Sequence, residues 1–406
     1  MSNMNFKVNI FSIGVGVAWR MLMMKDEEVL SLHAKHHGVL AISPEFAVHN
    51  KQELGEAYTP GVAIISKLIE RYPELKDKYT MSGKLVALVT DGSAVLGLGN
   101  IGPAGGLPIV EGKALLYKAL SGVNALPLTV EQVSPDEVVS TLKNMQESFA
   151  GFHLEDIAAP RCFEIEEKLT KEVNIPVYHD DQEGTAIVVL AGLINAAKVV
   201  GKQLTDLKVV INGVGASGVA TARLLFAAGI KNITFVDIDG PVHADSKNYN
   251  HYQTDLVKQS SDQTAYADLD EAVRDRDVFI GLSDADVLSA DQVKKMADNP
   301  IIFALANPKP EIDPAVAHEA GVQVMATGSS QYPNQVNNIL VFPGLYKGLL
   351  ATDLNKVDFG LEKAIAHGIA SLVPEPTADR FVPGVFDDGV VDTVAQAVKD
   401  YAASKK

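Results

Sequence analysis

Apolar positions in the first half of the chain fall in short runs, each followed by a polar loop and then a helical stretch. Residues 85–90 (LVALVT), 125–128, 150–154 and 175–178 fill consecutive positions with aliphatic, β-branched or aromatic side chains, which predicts strands. Between them, residues 110–121 (VEGKALLYKALS), 135–146 and 160–171 carry apolar residues at helical spacing, and 25–36 predicts a short helix near the start. The second half repeats the alternation. Residues 185–200 (TAIVVLAGLINAAKVV) are nearly all apolar or small, which predicts a helix buried on most sides. Strands at 207–212 and 232–237 bracket a helix at 219–228, and further strands are predicted at 277–282, 301–306 and 321–326. An amphipathic helix at 358–371 and a surface helix at 393–406 close the chain. Strands alternating with helices place the protein in the α/β class with parallel sheets.

At 406 residues the chain exceeds one ordinary core and predicts two or three domains. The pattern divides it into a flexible extension (1–24), an α/β domain (25–182), a doubly wound dinucleotide-binding domain (183–392) and a C-terminal helix (393–406). Within the extension, residues 11–19 (FSIGVGVAW) form an apolar run behind Lys7, faintly like a signal-peptide core. The run is shorter than the ~20 residues a membrane span needs. Arg20, Met21, Met23 and Met24 follow in place of a cleavage pattern, so the segment reads as an extension or an upstream start.

Composition narrows the partners. Hydrophobic residues make up 47% and charged residues 21%, an ordinary globular balance. A net charge of −16 argues against nucleic acid and anionic membrane, which it would repel, and leaves a small anionic substrate open. The single cysteine, Cys162, excludes an intrachain disulfide and fits a reducing, cytoplasmic setting. His33, His36 and His37 lack a further spaced ligand and read as an exposed helix end.

The candidate chemistry lies at strand ends. Glu155 and Asp156 follow the third strand, and Asp180 and Asp181 follow the fourth. Right-handed crossover makes these strands parallel, so both acid pairs emerge at the carboxyl edge, where ligands of open α/β sheets bind. Four carboxylates there repel one another unless a cation sits among them, and hard oxygen ligands favour Mg²⁺ or Mn²⁺. Helix capping accounts for one such pair but not for two on successive strands.

Other first-half residues say less when taken singly. The loop from Gly92 to Gly106 holds six glycines, either for a close backbone approach or for tight folding. Its GLGNIG has the form GxGxxG, but no helix is predicted to start there, so it is a weak dinucleotide signal. Lys113 is placed in the first turn of its helix, where the dipole tends to lower its pKa, although position alone reads as a solvated lysine. Tyr58 precedes the Thr59-Pro60-Gly61 turn, which alone reads as packing.

In the second half, Gly213-Val214-Gly215-Ala216-Ser217-Gly218 has a strand before it, a helix after it and Asp237 at the end of the next strand. That context is a dinucleotide fingerprint, with pyrophosphate at the helix N-terminus and the acid on the ribose hydroxyls. Asp237 favours NAD over NADP because it repels a 2′-phosphate. Ser283 and Asn307 lie in loops at the same edge. Asn334, Asn337 and Asn338 could bond a carboxylate or simply make turns.

Taken together, EAYTPGVA, VTDGSAVLGLGNIGPAGGLPIVEGKALLYK, LEDIAAPRCFEIE, VYHDDQEGTA, GVGASG, ANPKPEI and YPNQVNNILVFPG resemble the malic enzymes in their short bacterial form, from about residue 33 to about residue 380. The resemblance implies an N-terminal α/β malic-type domain followed by a Rossmann-like NAD-binding domain. It implies oxidative decarboxylation of L-malate to pyruvate and CO₂ with NAD and Mn²⁺ or Mg²⁺. By motif, Glu155, Asp156 and Asp181 match the metal ligands, Tyr58, Lys113 and Asp180 the catalytic groups, and Asn307 and Asn338 substrate-side positions; Ser283 and Asn307 join the glycine motif and Asp237 on the cofactor side. A neutral Lys113 would take the C2 hydroxyl proton of malate as hydride passes to the nicotinamide. The metal would hold the C2 oxygen and a carboxylate, and Tyr58 would protonate C3. The family also suggests a homodimer, in which Tyr58 could serve a neighbouring subunit's site. Ala94 departs from the Arg of animal-type members, and Glu183 stands where many relatives have Gln or His. Alternatives on the same fold are an oxaloacetate decarboxylase, a malolactic enzyme (expected to be a longer chain) and an inactive binding module, the last opposed by the intact Tyr58, Lys113 and acids.

Overall fold

The computed structural model describes residues 26–405. The extension read at 1–24 lies outside them. Residues 26–38 form a unit of their own, separate from a second unit that starts at Val39. The first holds the helix Asp26–His36, acidic in its first turn, basic in its last and with no buried residue, as suits a solvated helix with its dipole matched at both ends. Among the described residues no metal-ligating group includes His33, His36 or His37.

The second unit is built on two sheets. The first contains β1 (Leu85–Thr90), β2 (Asn124–Thr129), β3 (Gly151–Glu155) and β4 (Val177–His179), all parallel in the order β2-β1-β3-β4. β1 and β3 are buried throughout, which is why they read as unbroken runs and not as alternation. Thr90 pairs with Glu155, and Leu154 pairs with His179. That register brings Asp91, Asp156 and the Asp180-Asp181 pair out along one edge, as the crossover argument predicts.

Two local features differ from expectation. The helix predicted at 110–121 begins earlier, at Gly102, and runs to Ser121. Pro103 sits in its first turn, where a missing N–H costs nothing. GLGNIG therefore does lead into a helix, and Lys113 lies midway along it, beyond the reach of the dipole at its start. The glycine loop is folded on itself: Gly92 has φ +63°, and a Cβ there would lie 2.1 Å from the Gly102 carbonyl oxygen. Secondly, Asp180–Gly184 forms a single π-helical turn between β4 and the next helix. A Cβ on Gly184 would come within 2.4 Å of both Asp180 Oδ1 and Tyr178 Oη, so glycine there makes room for the buried Asp180.

The second sheet has the order β10-β9-β8-β5-β6-β7, from β5 (Lys208–Asn212), β6 (Asn232–Asp237), β7 (Gly240–Pro241), β8 (Val278–Gly281), β9 (Ile301–Ala304) and β10 (Val324–Thr327). All pairs are parallel except β6 with β7, a two-residue strand the pattern does not reveal. The chain leaves β5 for β6 on one side and resumes with β8 on the other, so the loop after β5 sits at a topological switch point. The helix Thr185–Val199 is buried over residues 186–197 and packs against Phe359–Ser371 and Ala216–Ala227. The last helix, Val390–Ser404, begins before residue 393 and is half inside: Val394 and Val398 fit against Gly344 and Gly348, where a Cβ would sit 2.5 Å from each valine Cβ. Among the described residues no helix is long and apolar enough to cross a membrane.

Candidate active site and dinucleotide cradle

The carboxyl edge of the first sheet assembles around Lys113. Its Nζ lies 2.5 Å from Asp180 Oδ2 and 2.5 Å from Glu155 Oε1, and 5.2 Å from the centroid of the Phe342 ring. The Tyr178 hydroxyl donates to Asp180 Oδ1 at 2.6 Å. Asn338 Nδ2, from the other half of the unit, donates to the Asp180 carbonyl at 3.1 Å and to Oδ2 at 3.2 Å. Burial pulls the Lys113 ammonium pKa down, but Asp180, Glu155 and Asp181 more than offset this and hold it above the ordinary lysine range. The lowered lysine pKa expected from the sequence is therefore reversed here: the helix start is distant and two anions touch the ammonium. Burial pushes the Asp180 carboxyl up, yet Lys113 keeps it below the usual range.

Beside this pair, Glu155, Asp156 and Asp181 each bring one carboxylate oxygen within 4.8 Å of the others. Burial pushes them up to about 7, about 8 and about 6 respectively, against the pull of Lys113, with Asp180 adding to the rise of Glu155, Glu155 and Asp181 to that of Asp156, and Glu155 to that of Asp181. Asp156 Oδ2 is buried without a hydrogen-bond partner among the described residues, while Asp181 Oδ2 accepts from the Asp156 N–H at 2.8 Å. An orphaned acceptor within a trio of hard, mutually repelling oxygens fits a divalent cation such as Mg²⁺ or Mn²⁺. The His153 imidazole, which touches Glu155, is pushed by burial down to about 3 and is neutral.

Other sequence candidates are distributed around this centre. Tyr58 ends the helix Lys51–Ala57, is 66% exposed, and its hydroxyl bonds to none of the described residues. Arg161 is engaged by Asp91 at 2.7 Å and by the Val133 carbonyl. Ala94 donates its N–H to the Asp156 carbonyl. Asn307 stays outside the Lys113 network and donates to the Leu305 carbonyl at 3.4 Å. Asn334, at φ +55°, accepts from the Phe381 N–H and donates to the Ala378 carbonyl, tying its loop to a segment more than forty residues on, whereas Asn337 caps the turn at Ile339. Of these three amides Asn338 reaches Asp180.

At the switch point, Gly213 has φ +102° and a Cβ there would lie 2.4 Å from the Leu282 carbonyl oxygen; on Gly218 it would lie 2.0 Å from the Gly213 oxygen. Both glycines are demanded by the protein's own backbone. Gly215 is different: its φ is −81° and no atom lies within 4 Å of its Cβ position. The open space above it, where Ala216 and Ser217 start the helix Ala216–Ala227, fits a pyrophosphate. Asp237 accepts from the Ile238 N–H at 2.8 Å and the Val214 N–H at 3.3 Å, and Gln253 Nε2 approaches it at 3.4 Å. Ser283 Oγ accepts from Asn212 at 2.8 Å, and the buried Glu311 takes the N–H groups of Ser283 and Ala306, tying the loops after β8 and β9 together.

Sequence reasoning missed Tyr178, Gln253, Glu311 and His153. For His153 the signal was present: a polar residue inside an otherwise apolar strand has to find partners for both ring nitrogens.

A parallel sheet with a lysine–carboxylate edge, joined to a glycine cradle at the switch point of a doubly wound sheet, defines the class of two-domain dinucleotide-binding oxidoreductases. Family profiles resolve it further: "Malic enzyme, N-terminal domain" matches residues 40–134 and "Malic enzyme, NAD binding domain" matches residues 182–403. The chain belongs to the malic enzyme family. It is 46% identical over 379 residues to a bifunctional malic/malolactic enzyme of Bacillus subtilis, covering 93% of this chain and 92% of that protein. It is 44% identical to an NAD-dependent malic enzyme of Geobacillus stearothermophilus, covering 90% and 77%. The crystal structure of an NAD-dependent malic enzyme from Thermotoga maritima superposes with a TM-score of 0.88 at 41% identity, covering 91% of this chain and 98% of that one. The Bacillus protein, so nearly matched in length, corrects the expectation that malolactic members are longer.

Proposed function

We propose that the chain catalyses the NAD-dependent oxidative decarboxylation of L-malate to pyruvate and CO₂. The observation that carries this is Lys113 held between Asp180 and Glu155, capped by Asn338, next to an acid trio fit for a hard cation. We assign Glu155, Asp156 and Asp181 as the ligands of Mn²⁺ or Mg²⁺. The bound cation supplies Lewis acidity to the substrate oxygens, and the nicotinamide supplies a hydride acceptor.

The chain's own groups do the rest. Lys113 Nζ takes the C2 hydroxyl proton; to act as a base it must loosen its grip on the two carboxylates that keep it charged. Asp180, fixed by Tyr178 and Asn338, keeps Nζ in place. The Asn338 amide, neutral beside the acids, turns toward a substrate carboxylate by giving up one of its two hydrogen bonds to Asp180. Tyr58 returns a proton to C3. Asp237, already oriented by Val214 and Ile238, favours NAD.

The exposed Tyr58 supports a homodimer in which this hydroxyl enters the partner's site. Ile42, Phe46 and Ile64 are exposed nearby in sequence at 91%, 76% and 70%, and a groove of about 970 Å³ is lined by Leu40, Phe46, Met81 and Leu107. A second copy would cover such a surface. The lone, buried Cys162 suits a cytoplasmic setting.

The test is Mn²⁺-dependent NADH formation from L-malate, with NADP, oxaloacetate and lactate followed in parallel. NADH with pyruvate, slower with NADP, supports the reading. Rapid pyruvate from oxaloacetate without NADH from malate moves the function to a decarboxylase. Lactate from malate without net NADH moves it to malolactic chemistry, a reading the name of the Bacillus relative makes worth including.

A further inference from the structure

Glu155 is held from two sides. Lys113 meets Oε1, and His153 Nε2 lies 2.9 Å from Oε2. His153 Nδ1 in turn lies 2.7 Å from the Tyr117 hydroxyl. Both His153 and Tyr117 are fully buried, 0% exposed. The imidazole is walled by the rings of Tyr178 at 5.2 Å and Phe342 at 5.8 Å between centroids. An uncharged imidazole has a single N–H, and in the ionised form that holds a cation the Glu155 carboxylate can only accept. The N–H therefore sits on Nε2 and points at Glu155, Nδ1 accepts, and the Tyr117 hydroxyl donates. The chain of donors runs one way, from Tyr117 through His153 to Glu155.

His153 also neighbours Asp180, so that His153, Glu155 and Asp180 could in principle ligate a cation. Both ring nitrogens are already engaged, however, and Lys113 Nζ stands between Glu155 and Asp180. His153 is thus not a ligand but a support.

We propose that Tyr117 and His153 are positioning residues that lock the Glu155 carboxylate in the plane it needs to share a divalent cation with Asp156 and Asp181. This rests on the assignment of Glu155 as a ligand. Pinning Oε2 removes the rotation of the carboxylate, so the ligand is pre-aimed before the cation arrives. The carboxylate sets the tautomer, and the Tyr117 hydroxyl, by donating to Nδ1, holds the ring in place, which is why a hydroxyl one residue removed from the ligand matters.

The experiment is Mn²⁺ titration of the full-length protein without substrate or NAD, following free Mn²⁺ by electron paramagnetic resonance, with NAD affinity measured separately. His153→Leu should weaken Mn²⁺ binding about tenfold or more, the scale of lost outer-shell partners. Tyr117→Phe should give a smaller loss in the same direction. His153→Gln, which keeps a donor near Nε2, should recover most of the affinity, and NAD binding should be unchanged throughout. If His153→Leu does not fold, Tyr117→Phe decides, since it removes one oxygen and keeps the ring. Wild-type Mn²⁺ affinity in Tyr117→Phe and in whichever folded His153 variants are obtained overturns the proposal. No Mn²⁺ binding by the wild type overturns the ligand assignment itself and the proposal with it.

Discussion

At the level of single residues the site is an arrangement of charges that need one another. Among the described residues Lys113 is the one cation touching both Asp180 and Glu155, so Lys113→Ala should lower kcat for malate oxidation by roughly 10²–10⁴, the range for a lost general base. NAD binding, at the other sheet, should persist in a fluorescence titration; normal turnover would remove the lysine from the mechanism. The acid trio gives a second expectation. Carboxyls pushed up to about 7 and about 8 hold protons below those values, and a cation must displace them. Mn²⁺ affinity should therefore be weaker at pH 6 than at pH 8, with proton release on binding visible in a lightly buffered titration. Equal affinity at both pH values would contradict the assignment. The sequence revealed these acids because adjacent pairs on successive parallel strands share an edge. Spacing alone could not divide Asp180 from Asp181, a division that only the motif resemblance implied, because it is made by the π turn.

Elements explain which glycines serve the fold and which serve a ligand. Gly218 abuts backbone, whereas Gly215 faces open space. Gly218→Val should lower the melting temperature by several degrees, while Gly215→Val should leave the melt nearly unchanged and raise the KM for NAD at least severalfold. Similar losses of stability in both would show that the space above Gly215 has no ligand role. The packing of Phe359–Ser371 on Thr185–Val199 buries Glu362, whose carboxyl is pushed by burial, with Glu166 and Asp358 adding, up to about 8. An unfolded glutamate titrates near ~4.3. Between these values the folded chain binds more protons than the unfolded one, so this group's effect on stability turns unfavourable as pH rises across the window. Glu362→Gln should raise the melting temperature more at pH 8 than at pH 5; an equal gain would mean that ionisation is not the cause. Strands such as β1 and β3 were legible because their runs are buried on both faces. The early start at Gly102 was not, because a Gly- and Pro-rich first turn looks like loop until Gly92 and Thr90 are seen to pack on it. Gln253 and Glu311 were invisible for another reason: they act by bonding loops distant in sequence.

For the whole molecule, the sharpest expectation concerns sharing between subunits. If Tyr58 acts in the partner's site, equal amounts of Tyr58→Phe and Lys113→Ala chains, unfolded and reassembled together, should regain about a quarter of wild-type activity, one good site in half of the dimers. No recovery would place Tyr58 in its own chain's site. The two halves are joined more deeply than a boundary near Gly184 suggests. Tyr117 packs against Phe342, their centroids 4.8 Å apart, and the Tyr346 hydroxyl donates to the Phe152 carbonyl, a partner 194 residues earlier in the chain. During synthesis at ~5–20 residues per second, that face of the first sheet waits roughly 10–40 s for its cover. A nascent chain stalled before residue 340 would carry a bare aromatic seam, a feature by which the cell's folding helpers and proteases can tell the unfinished enzyme from the finished one.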